Sequence, residues 1–179
     1  MSDVDFPESL IPRLRTAQII TASLIVGVVV MAAVLFFLRS QNPPAPPPVP
    51  LVSYLGYVFA AVCLGASVFV PNIILANFRK QIAKGQQPNS SNPWPRPPED
   101  AGTWMALYQT TLIIGLALLE GPTFFLLIAF FLEGQPVSLG VAGGLLACMA
   151  LRFPTRDGVM RWIETQRELV ERERQELGG

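Results

Sequence analysis

The chain has 179 residues, 51% of them hydrophobic, with 13 Lys and Arg against 13 Asp and Glu, two Cys and no His. A formal charge of zero leaves no basic footprint for nucleic acid, so none is expected as a partner. The totals would suit a soluble domain, but the apolar residues are gathered into four blocks, 16–38, 51–76, 107–132 and 137–151.

Residues 1–15 read as a cytoplasmic N-terminal segment. Asp3, Asp5 and Glu8 make a poor signal-peptide start, and the block that follows is too long for one, so it is expected to be a retained signal anchor. The first three blocks clear the roughly 18–20 residues needed to cross a hydrocarbon core. The fourth is shorter and is predicted to reach across with Arg152 and Phe153 as its interfacial end, or by local thinning of the bilayer. The outer loop, 39–50, contains QNPPAPPPVP, a density of proline that favours extended polyproline II. The segment 77–106 contains KGQQPNSSNPWPRPPED and reads as a solvated cytoplasmic linker. The tail, 154–179, is rich in helix formers, with Thr155 as N-cap and Glu168 four residues before Arg172. Its shared face, Trp162, Gln166, Leu169 or Val170, Glu173 and Leu177, is thinly apolar, which predicts a solvated juxtamembrane helix.

The expected fold is therefore an all-α integral membrane protein. Four transmembrane helices form two tandem αα-hairpins, 16–76 and 107–153, followed by a charged cytoplasmic helix. Orientation follows from the cations. Arg13, Arg15, Arg79, Lys80, Lys84, Arg96 and the six arginines from Arg152 onward fall on one side, with Arg39 alone on the other. The positive-inside rule then places both termini in the cytoplasm of an inner-membrane protein, with Trp94, Trp104 and Trp162 at the headgroup level. The halves also repeat. Without gaps, Thr16, Gly27, Phe36, Phe37 and Gln41 meet Thr110, Gly121, Phe130, Phe131 and Gln135, and Pro71 later meets Pro154.

Small residues mark where helix backbones can approach in lipid. Gly140 and Gly144 form such a pair on span four, with Cys148 one turn on. Gly56 with Ala60 and Ala61 with Gly65 mark span two, and Ala117 with Gly121 marks span three. These are expected to pack helices within the bundle or to pair with a second copy or other membrane subunits. Cys63 and Cys148 fall inside spans and read as buried thiols, and no metal or cofactor is implied.

The candidate proton or ion site is Glu120, alone among apolar residues in span three, where a charge costs about 2.5–3.5 kcal/mol by insertion scales. Gly121 and Pro122 follow as a kink or hinge, because Pro122 removes the donor to the carbonyl of Leu118. With no cation at matching depth in another span, Glu120 is expected to be neutral and to donate to that carbonyl or to Thr21, Ser23, Ser67 or Thr123. Its equivalent in the first half is Val26, so the repeat does not itself demand an acid.

Residues 110–132, TTLIIGLALLEGPTFFLLIAFFL, resemble the second helix of the rotary ATP synthase proteolipid, subunit c, with its lone mid-helix carboxylate. The resemblance implies that Glu120 carries a proton or a sodium ion. It covers that helix alone. Span two offers only Gly56 and Gly65 where that family is densely glycine-repeated, and Pro122 directly follows the acid. No nucleophile with its base, no metal-ligand cluster and no phosphate loop is present to suggest an enzyme. The sequence thus favours a non-enzymatic structural or interaction component in the lipid bilayer, the alternative being a small proton- or ion-handling proteolipid-like protein using Glu120.

Overall fold

A computed structural model describes residues 8–41, 49–83 and 101–178. One turn of 3-10 helix, Glu8–Leu10, leads into five α-helices: α1 (Ile11–Gln41), α2 (Leu51–Ala83), α3 (Ala101–Glu133), α4 (Pro136–Leu151) and α5 (Arg156–Gly178). Among the described residues there is no strand. Most of the proline tract and 84–100 lie outside the described residues. Three helices, or four if α4 and α5 count as one broken span, are long and apolar enough to cross a membrane. At a rise of 1.5 Å per residue the 31 to 33 residues of α1, α2 and α3 run about 46–50 Å, well beyond a hydrocarbon core of about 30 Å. Each long helix therefore has turns to spare, and α2 and α3 take several from what reads in sequence as linker.

Those surplus turns form the first of two compact units, the described parts of 1–19, 71–112 and 154–179. Its core joins Leu10 and Leu14 of α1, Leu75 and Ile82 of α2, Trp104, Met105 and Leu107 of α3, and Val159, Ile163 and Val170 of α5. Helix α5 begins where Thr155 caps it, its Oγ1 accepting from Gly158 N at 3.2 Å. It then buries Val159, Ile163, Gln166 and Val170, a face with spacings of four, three and four that matches a packed helix stripe. The tail is thus not the solvated helix its thin apolar stripe suggests. The reason is chemical: two of its inward positions are polar, and both meet Arg79 of α2, with Glu173 Oε2 left buried without a partner among the described residues. Arg79 NH1 donates to Gln166 Oε1 at 2.9 Å, and Arg79 Nε forms an ion pair with Glu173 Oε1 at 3.3 Å. Glu168 and Arg172 form no such pair. Trp104 is 1% exposed and meets Phe78 edge-on at 6.0 Å, while Trp162 is half-buried and meets Tyr108 at 5.2 Å. Trp94 lies outside the described residues.

The second unit comprises 20–70 and 113–153, described except for 42–48. Helix α3 is its axis: 44% of its most apolar 18-residue stretch is buried, against 22% for α2 and 11% for α1. Helix α2 turns a seam of small residues inward, Ser53, Gly56, Ala60, Cys63 and Ser67. A Cβ on Gly56 would sit 2.8 Å from Leu126 Cδ2 and 3.2 Å from Phe125 Cδ1, so the glycine lets α2 close on α3. Phe59 meets Phe125 edge-on one turn away. On α1, Thr21, Val28 and Leu35 recur every seventh position as its buried stripe, and Phe36 stacks on Phe130 at 6.5 Å. Helix α4 buries Ser138, Ala142, Leu145 and Met149.

If the α5 face carries the first unit, Ile163→Ala should cost about 2–5 kcal/mol, and the variant should be cut by trypsin at Arg161 and Arg167 several-fold faster than the parent. Unchanged digestion would mean that α5 is not docked.

Candidate functional sites on α3

Glu120 stands on α3 as a half-buried residue. Among the described residues no hydrogen bond or ion pair engages it. Thr123, one of its expected partners, instead donates to Leu119 O at 2.6 Å, and Ser67 donates to Leu64 O at 2.7 Å. Pro122 is buried, and α3 continues past it to Glu133. Gly121 is exposed, and a Cβ built on it meets nothing within 4 Å.

The other proline of a long helix, Pro71, is answered by a charge. A proline at position i deprives the carbonyl at i−4 of its helical donor, and here that carbonyl belongs to Ser67. Arg152 NH1 donates to Ser67 O at 3.2 Å and NH2 to Ser67 Oγ at 3.2 Å. Gly115 makes the room, since a Cβ there would lie 2.7 Å from Arg152 NH1. This arginine is therefore not merely a snorkelling end of the fourth span. It is also no counter-ion for Glu120, because Gly115 and Glu120 are about 7.5 Å apart along α3 and about 140° apart around it.

The densest polar cluster lies at the end of α3, on a residue that sequence reasoning passed over. Glu133 is 5% exposed. Its carboxylate accepts from Val52 N at 2.7 Å and from Ser53 N at 2.8 Å, two of the donors that the first turn of α2 leaves free. A carboxylate there also complements the positive end of the α2 dipole. From Ser53 the chain of hydroxyls continues: Ser138 Oγ donates to Ser53 Oγ at 2.9 Å, and Tyr57 OH lies 3.1 Å from Ser138 Oγ. The C-terminus of α3 closes on Gly134, with φ of +71°, whose N donates to Phe130 O at 2.8 Å. Arg39 adds its NH1 to the Phe131 carbonyl and rests 5.5 Å over the Phe130 ring. Any side chain at Gly134 would collide with Arg39. The available signal was the helix dipole: an acid in the last turn of a helix is unfavourable unless another element uses it.

The glycines named from sequence divide. Gly56 is in close contact with α3, whereas Gly65, Gly140 and Gly144 meet nothing within 4 Å at their Cβ positions. Gly140 and Gly144 lie on the exposed face of α4, and Cys148 is half-buried beside them, while Cys63 is buried.

Two substitutions test the polar clusters. Glu133→Ala should destabilise the chain by about 1–2 kcal/mol, the scale of a lost helix cap, and Glu133→Gln by less, read from thermal unfolding in detergent. In a double-mutant cycle Arg152→Met should cost about 1 kcal/mol less when Pro71→Ala has restored the donor to Ser67 O, whereas strictly additive costs would contradict the assignment. Compared with protein-family models, curated proteins and solved structures, the chain matches none, so its function is read from this geometry.

Proposed function

We propose that the chain is a non-enzymatic structural or interaction component of a cytoplasmic membrane, crossing the bilayer four times as two tandem hairpins with both termini inside. The observation that carries the proposal is the exposed surface of the second unit. Val26, Val34 and Phe36 on α1, with Val58, Val62 and Phe69 on α2, stand outward at 47–68% exposure, a surface suited to lipid and not to water. In the same unit Glu133, Arg39 and Arg152 are engaged with helix-end and proline-freed backbone groups. In hydrocarbon such groups must be satisfied by the protein itself. The excess of Lys and Arg in the N-terminal segment, 77–106 and the tail supports a cytoplasmic position for all three.

A second reading, a small proton- or ion-handling proteolipid, draws on Glu120, which is half-buried with no partner among the described residues and lies in the segment that resembles subunit c. The two readings separate by experiment. In a Cys63→Ser/Cys148→Ser background, an impermeant maleimide should label Val49→Cys in intact cells and Arg174→Cys only after permeabilisation, and the reverse pattern would overturn the orientation. Carbodiimide modification of membranes that falls away in Glu120→Gln and varies with pH would favour ion handling. No modification at any pH would sink it.

A further inference from the structure

Among the described residues no hydrogen bond or ion pair gives Glu120 a partner within the fold. The two cations of its unit are committed elsewhere, Arg39 to the Phe131 carbonyl and Arg152 to Ser67. Beside it α3 carries an open seam. Ala117, Gly121 and Ile128 are exposed and Phe124 is half-buried, at spacings of four, three and four, while Leu116, Leu119, Thr123 and Leu126 fill the opposite, packed side. Glu120 borders that seam, about 60° round the helix from Ala117 and 40° from Phe124. The smallest residues of the seam stand at the level of the carboxyl, where another backbone can approach most closely.

We propose that this face of α3 is a twofold contact between two copies of the chain, with their Glu120 side chains hydrogen-bonded to each other across Ala117 and Gly121. The occupant follows from the chemistry of the group. A carboxyl with no counter-ion in an apolar setting is neutral, and a neutral carboxyl is donor and acceptor at once. Its natural complement is a second carboxyl, which returns both bonds. Lipid tails return neither. An unrelated helix would have to carry a suitable group at the same depth, whereas a twofold axis along the membrane normal brings the second Glu120 to that depth by symmetry. The inference rests on the bilayer reading of the second unit and deepens it by naming the partner.

Full-length protein reconstituted in liposomes tests it. In the Cys63→Ser/Cys148→Ser background, oxidation should join Ala117→Cys as a disulfide dimer and leave Val62→Cys, exposed on α2, uncrosslinked. Photobleaching of the labelled parent should count two steps per particle. Glu120→Leu should weaken the dimer about tenfold, and Glu120→Gln, which can still pair, much less. An alkali-resistant, inserted chain that counts as a monomer, or a dimer indifferent to Glu120→Leu, overturns the contact and leaves the bilayer reading standing. A chain that alkali strips from the liposomes overturns both.

Discussion

Two backbone donors at the start of α2, held by one carboxylate at the end of α3, set the register of the second unit. Glu133 can reach Val52 and Ser53 N–H only when the two helices run antiparallel with those ends level. The remaining contacts then follow down α2 as they step back along α3: Gly56 against Leu126, Phe59 against Phe125, and Ser67, through Arg152, level with Gly115. Helix α4 enters the same arrangement through Ser138, which bonds Ser53, and α1 through Arg39, which answers the last turn of α3. A one-turn slip of α2 would leave Glu133 buried without its donors, at a cost of several kcal/mol for an unpaired buried charge. The small-residue seam of α2 permits close packing, but a row of Ser, Gly, Ala and Cys does not by itself choose one register. The polar end does.

The two prolines that align in sequence, Pro71 and Pro154, are met differently. Pro71 sits inside α2, which continues to Ala83, and Arg152 supplies a donor to the carbonyl that the proline leaves free. At the equivalent Pro154 the helix has stopped. Phe153 N reaches Ala150 O at 3.1 Å, closing the last turn of α4, and Thr155 opens α5. The arginine that donates to the carbonyl freed by Pro71 is also the C-cap residue of α4, two positions before Pro154.

Sequence made the helices legible because long apolar blocks leave few alternatives, and it marked Gly56 and Thr155 by small-residue spacing and capping chemistry. It hid what depends on contacts distant in the chain. Glu133 drew no reading from sequence, because its partners are about 80 residues earlier on another helix. Sequence did not single out Gly115 at all, since its role is set by an arginine outside α3. The packing of α5 was concealed by Gln166 and Glu173, polar residues on its inward face whose complement, Arg79, counted in sequence only as one positive charge among many. The Gly140 and Gly144 pair illustrates the converse: the motif is plain in sequence, yet it faces away from the fold.

Helix α3 carries two acids thirteen residues apart, about 20 Å along its axis, and the contrast between them separates folding from function. Glu133 is deeply buried and returns its desolvation cost through bonds to α2, so its presence is explained within one chain. Glu120 is half-buried, has no hydrogen-bond or ion-pair partner among the described residues, and aligns in sequence with the apolar Val26. An apolar residue there would serve the packing of α3 equally well, and in hydrocarbon it would avoid the cost of a carboxyl. On the proposed twofold contact, the benefit of the acid lies outside the single chain, in the second Glu120 that meets it across the open seam of α3.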